Sequence, residues 1–288
     1  LSKITFRYIR EQSTRMASVL VGETHVVDNL PAESIAQFEN NKNAHIENIE
    51  SVQYMFVAFN CSHKPLDDVR VRQAFNYAID VKSIVDNILL KQAVIADAPM
   101  ASSVPAYNKH KPYSYDPDKA KKLLSEAGYG NGMRKLDILL LKGLYTKGLE
   151  VTQAVVGDLK KIGINVVIND LELALSRKRR AAGEYDLFYT GWSCMTGDAD
   201  FSLFRNFMTG NLWRYDNKEV MALLYKARQT LDREKRKEVY AKIQAILWKE
   251  CPWVWLYNPL LHHGVNNKVT GVTHYPNNAI VARDASLG

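Results

Sequence analysis

Residues 135–141, 149–162 and 164–168 constrain this chain more than any other feature. The first and last are apolar runs of strand length, and the middle one is an amphipathic stretch closed by Gly163. Two strands joined by one crossover helix run parallel in a single sheet, because a tight turn cannot return the chain to the end it came from. A parallel pair must in turn be covered by helices. The expected fold class is therefore α/β, and ligands of such sheets gather beyond the carboxyl ends of the strands. A further helix and a strand at 185–189 continue the order. Gly191, Trp192, Ser193, Cys194, Met195, Thr196, Gly197 and Asp198 then fall at the expected binding position.

Around this unit the chain carries other local signals. Asn29-Leu30-Pro31 before Ala32-Glu33-Ser34 predicts a strand ending in a short helix. Residues 54–59 predict an aromatic-rich strand, and a helix capped by Asp67 or Asp68 is expected to run to about Ile88. Pro99, Pro105 and Pro112 make residues 93–115 a long ordered loop, ended by the helix start Asp116-Pro117. Helices are expected at 217–229 and 233–248, capped by Asp216 and Asp232, and a strand at 253–257. The turn-rich tail is expected to return to the domain begun by residues 1–50.

Composition narrows the class. The 288 residues, 47% of them hydrophobic, suffice for real cores, and no run approaches the ~20 apolar residues of a spanning helix. Leu1-Ser2-Lys3-Ile4 resembles neither a signal peptide nor a translation start, so the expectation is a chain cut from something longer. The net charge of +7 is scattered; its one dense run, Arg177-Lys178-Arg179-Arg180, lacks interleaved aromatics and is read as a solvated helix end, with no nucleic-acid partner. Cys61, Cys194 and Cys251 share no metal or disulfide spacing and are read as small buried hydrophobes, their pairing left open.

Enzyme signatures are missing. Gly128-Tyr129-Gly130-Asn131-Gly132 follows a helix rather than linking a strand to one, so it is a helix end and loop. Ser193 follows a strand, but Met195 stands where G-x-S-x-G needs its second glycine. His262 and His263 are adjacent and on a strand would face opposite ways, which prevents joint metal ligation. No cofactor is implied. Trp192 is either a core side chain or a ligand wall, and Asp198 and Asp200 either cap a helix at 201–207 or hold a ligand amine.

Several segments together resemble the bacterial family 5 solute-binding proteins, receptors for peptides, nickel and glutathione that serve ABC importers. They include Phe6-Arg7-Tyr8-Ile9, Val57-Ala58-Phe59-Asn60, the run from Asp67 to Asp80, the run from Tyr115 to Leu124, Tyr185-Asp186-Leu187 before Gly191-Trp192, and Pro252-Trp253. The resemblance implies a class II, two-lobed periplasmic-binding-protein-like fold. Residues 1–52 and 253–288 would form part of one lobe and residues 53–252 the complete other lobe, the family's N-terminal region being absent. It further implies a monomer that binds a small peptide or peptide-like solute in an interlobe cleft and delivers it to ABC permease subunits. The location would be extracytoplasmic, in the periplasm or held by a lipid anchor outside this chain. Trp192 matches the family's ligand-contacting position, with Ser193, Met195, Thr196 and Asp198 as neighbours and Tyr54 and Tyr189 as further candidates. Peptide receptors of the family commonly carry aspartate where Met195 stands, and methionine cannot pair with a peptide's α-amine. Thr196-Gly197-Asp198-Ala199-Asp200 looks like the glutathione-type branches. A receptor for a metal–chelator complex such as nickel is the alternative, and a serine amidase or peptidase a remote one.

Overall fold

The computed structural model describes residues 3–288. Its contacts divide the chain into two compact units, one made of residues up to Ser51 with Pro259–Gly288, the other of Val52–Asn258. The boundaries expected at 52/53 and 252/253 are drawn here at 51/52 and 258/259.

The smaller unit begins with α1 (Gln12–Leu20), β1 (Val26–Val27) and β2 (Ala44–Glu50). The larger unit follows with β3 (Gln53–Phe59), α2 (Val69–Ala78), α3 (Val81–Ser83), β4 (Ala93–Ile95), α4 (Pro117–Glu126), β5 (Leu136–Leu141), α5 (Gly148–Lys161), β6 (Val166–Leu171), α6 (Leu173–Ala182) and β7 (Leu187–Ser193). Three helices come next, α7 (Ala199–Phe207), α8 (Lys218–Gln229) and α9 (Arg233–Glu250), and then β8 (Trp253–Asn266). Short polar side chains start these helices by accepting from otherwise unpaired N–H groups. Asp116 caps α4 and Asp232 caps α9. Asn217, not Asp216, caps α8 by accepting from the Val220 N–H at 3.0 Å. The single helix expected to reach Ile88 is broken at Ile79, whose backbone is extended, because Asp80 caps a new helix start through the Ser83 N–H.

In the larger unit β5 and β6 run parallel, from Leu136 opposite Val166 to Leu141 opposite Leu171, as the crossover helix requires. β7 is parallel to β5 over only two residue pairs, and antiparallel to β3 along its full length, from Leu187 opposite Phe59 to Ser193 opposite Gln53. Antiparallel pairing with β3 carries β7 four residues past its expected end at Tyr189. β3 also pairs with the first residues of β8, in which Trp253 lies opposite Ala58.

Alternation of side chains along the strands gives this sheet two buried faces. One holds Tyr54, Phe56, Leu139, Phe188, Trp253 and Trp255, packed with α7, α8 and α9 residues such as Leu203, Leu224 and Ile243. Trp253 is fully buried and stacks on Phe56 with ring centroids 3.8 Å apart. The opposite face holds Met55, Val57, Ile138, Leu140, Leu187 and Tyr189, packed with Phe75 of α2 and Val155 of α5. All three cysteines are free; Cys194 and Cys251 are buried, and burial pushes the Cys251 thiol up to about 12.

In the smaller unit β1 and β2 pair antiparallel with residues 260–266 of β8 over a core of Val19, Val27, Leu30, Phe38 and Ala44. His262 bonds the Asn48 side chain at 2.7 Å, while His263 is buried and stacks on His274 with centroids 4.3 Å apart. Among the described residues no cluster of three or more His, Cys, Asp or Glu could hold a metal, and no helix is long and apolar enough to cross a membrane.

Candidate functional site

The segment from Gly191 to Asp198 begins inside β7 rather than beyond it. Gly191 has no room for a side chain: a Cβ there would strike the Met55 sulfur and lie 3.1 Å from the Tyr54 carbonyl oxygen. On its other edge β7 has already parted from β5, and Tyr145 fills the gap. Its hydroxyl accepts from the Gly191 N–H at 3.0 Å and lies 3.1 Å from the Thr190 hydroxyl. The backbone beneath Trp192 is therefore held from both sides.

Trp192 lies opposite Tyr54 and packs against Phe201 of α7, with ring centroids 5.5 Å apart. It remains partly exposed, and its indole N–H is buried with no hydrogen-bond partner. A donor withdrawn from water without an acceptor is costly; the core indoles of Trp213, Trp253 and Trp255 share that state, and Trp192 differs from them in being partly exposed. Ser193 ends the strand. The chain then turns through Cys194 to Gly197, closed by the Gly197 N–H donating to the Cys194 carbonyl at 2.9 Å, with Gly197 at φ +68°. Met195 and Thr196 project from this turn, Met195 with 55% of its surface open.

Asp198 ends the turn with its carboxylate committed. It accepts from the Asp200 N–H at 2.8 Å to cap α7, and from two Arg236 nitrogens at 2.7 and 3.0 Å. Burial works to raise its pKa, but the Arg236 hydrogen bonds, the Asp200 N–H and the Arg236 charge outweigh that, so the carboxyl sits below its ordinary range. Of the two readings of Asp198, capping is the one the geometry displays.

The two tyrosines do not join this group. Tyr54 is 2% exposed, and burial drives its phenol well above the ordinary value. Tyr189 is fully buried on the opposite face, its hydroxyl 2.8 Å from that of Tyr257. Positions 189 and 192 are three apart on a strand, so their side chains must point opposite ways. The structure thus gathers Trp192, Ser193, Met195, Thr196 and Asp198 and leaves Tyr54 and Tyr189 in the core. Three residues were not singled out from the sequence: Tyr145, Phe201 and Arg236. Tyr145 lies in the loop between β5 and α5, Phe201 on α7 and Arg236 on α9, so no single local pattern in the sequence joins them.

Comparison with known proteins places these features. A sequence profile of bacterial extracellular solute-binding proteins, family 5 (middle region), matches residues 1–212. The glutathione-binding protein GsiB of Escherichia coli strain K12 is 30% identical over 300 residues, an alignment that takes in all of this chain and 58% of that protein. The chain thus spans little more than half the length of the curated relatives it matches. HbpA2 from Haemophilus parasuis superposes with a TM-score of 0.91 at 27% identity, covering 98% of this chain and 57% of that one. The periplasmic binding protein DppA from Helicobacter pylori, solved with the peptide STSA, gives a TM-score of 0.77 at 29% identity, covering 92% and 53%. The fold is that of the periplasmic binding proteins, and the chain belongs to the family 5 bacterial extracellular solute-binding proteins.

Proposed function

We propose that this chain is the solute-binding part of a receptor for an ABC importer and that its ligand is a small peptide or peptide-like molecule. Trp192 carries the reading: on a strand of largely buried side chains it stays partly open and holds an indole N–H without an acceptor. A flat, partly open aromatic ring suits a ligand that presents apolar groups to it. The relatives support the same class, one being named for glutathione binding and another having been solved with a bound peptide. Met195 offers no charge to an α-amine, and Asp198 has spent both oxygens on α7 and Arg236. The ligand is therefore held by contacts other than simple amine capture. The receptor acts outside the cytoplasmic membrane and passes its solute to the permease subunits, without making or breaking bonds.

Native mass spectrometry of the gently purified intact protein is expected to release a peptide-like molecule, and calorimetry to show binding of glutathione or dipeptides. Trp192→Ala should weaken that binding about 10- to 100-fold, as loss of an aromatic anchor does. Unchanged affinity in Trp192→Ala, or a co-purified metal complex in place of a peptide, would overturn the reading.

A further inference from the structure

His263 and His274 form a buried pair that the candidate site does not use. On β8, His263 lies opposite Glu47 of β2, and its ring stacks on that of His274 at an interplanar angle of 15°. His263 is fully buried, and neither of its ring nitrogens has a hydrogen-bond partner. The His274 side chain is fully covered as well. Its Nδ1–H donates to a Glu47 carboxylate oxygen at 2.6 Å, and its Nε2 has no partner. Neutral imidazoles suit such a place, whereas a buried cation with no acceptor for its N–H groups is costly.

The pair sits at a joint within the smaller unit. The next residue of β8, Gly264, packs against Val19, Val27 and Leu30, so the apolar core closes the opposite face of this sheet. Residues 267–288 contribute nothing to that core. Their strands pair with one another, Thr273–His274 with Ile280–Val281 and Val269–Thr270 with Ser286–Leu287. Asn267 ties the start of the segment to the Asn43 carbonyl at 2.7 Å and to the His45 ring at 2.7 Å. Farther along, His274 fastens the segment to the sheet through Glu47 and the stack on His263.

Titratable groups face His263 from each element packed on it: His274 on the segment, Glu47 on β2, Asp28 just after β1, and His262 on β8 itself. His45 stands 3.6 Å behind Glu47. Burial and the two histidines disfavour a proton on His263, and Asp28 and Glu47 favour it; the balance lowers its pKa from 6.5 to about 4. We infer that the His263–His274 stack is an acid-sensitive clasp, which holds residues 267–288 on the sheet of the smaller unit and releases them when His263 takes up a proton. Because the folded value is depressed, the clasp is complete above 6.5, weakens as the pH falls, and loses nothing further below about 4. A released His263 regains its ordinary value, so the open form should gain about 20-fold between pH 7 and pH 5.

Hydrogen exchange followed by mass spectrometry on the intact protein at pH 7 and pH 5, with each rate divided by its intrinsic rate, tests this. Protection of residues 267–288 should fall about 20-fold in acid while that of β3 and β7 holds. His263→Phe keeps a flat ring for the stack but takes no proton, so its segment should be equally protected at both pH values. Protection of the segment that acid leaves unchanged overturns the inference. So does an acid effect that His263→Phe retains, or an equal loosening of β3 and β7. Should His263→Phe fail to fold, NMR titration of the wild type decides. A His263 ring whose protonation shares one midpoint with release of the segment supports the clasp, and one that gains its proton while the amide signals of 267–288 stay in place overturns it.

Discussion

Replacing Asp198 by alanine removes a helix cap and an ion pair at one carboxylate. Loss of an N-cap costs about 1 kcal/mol. The Arg236 pair joins side chains that are 45% and 28% exposed, so solvent screening limits its share to about 1 kcal/mol or less. Arg236 keeps the Tyr240 hydroxyl at 2.9 Å and the Ala227 carbonyl at 3.2 Å, which spares it the penalty of an orphaned charge. Asp198→Ala should therefore destabilise by about 2 kcal/mol and Asp198→Asn, which keeps an acceptor for the Asp200 N–H, by roughly half of that. Urea denaturation at pH 7 should rank wild type above Asn and Asn above Ala. The folded-state pKa is depressed, so the carboxylate's contribution is complete above the unfolded value of about 4 and is lost as the pH falls through the folded value. The gap between wild type and Asp198→Asn should accordingly close in acid. A wild type no more stable than Asp198→Ala, or a gap that widens below pH 4, would refute the assignment of Asp198 to the cap.

Two further outcomes probe the strand beneath the site. Gly191→Ala should cost about 1–3 kcal/mol, since the added methyl meets the Met55 sulfur and the Tyr54 carbonyl; a neutral result in thermal denaturation would mean that β3 and β7 are not so closely apposed. Tyr189→Phe and Tyr257→Phe should each destabilise by about 1–3 kcal/mol by stranding the other hydroxyl, the double variant should cost less than their sum, and solute affinity should not move. A Tyr189→Phe variant of normal stability but weakened binding would restore Tyr189 to the ligand site.

What the sequence shows and what it hides divide along physical lines. The β5–α5–β6 crossover was legible because its signals, apolar runs, a closing glycine and an intervening helix, are all local. The caps Asp116 and Asp232 were legible for the same reason. Trp192 was expected beyond the strand because the partner that prolongs β7 is Tyr54, distant in sequence, and no pattern within residues 185–193 announces it. Likewise Asp198 meets Arg236 across 38 positions, so its commitment could not be read from the turn that contains it. The basic run does close α6, but four consecutive basic residues look alike in sequence, and only the structure shows that Arg180 stacks on the Phe188 ring. The opposed directions of Tyr189 and Trp192 were the exception: two-residue periodicity alone excludes a shared face once both are placed on one strand.

The free cysteines bear on how such a chain survives its surroundings. Cys194 is enclosed a residue away from the candidate contacts, its thiol raised by burial and set 3.1 Å from the Asp198 carbonyl, and the Cys251 thiol is pushed up to about 12. A thiol with that value is ionised to roughly one part in 10⁵ at pH 7, and only the thiolate attacks a disulfide. Cys194 and Cys251 are both fully buried, so an oxidising medium finds no exposed nucleophile at either with which to cross-link the molecule.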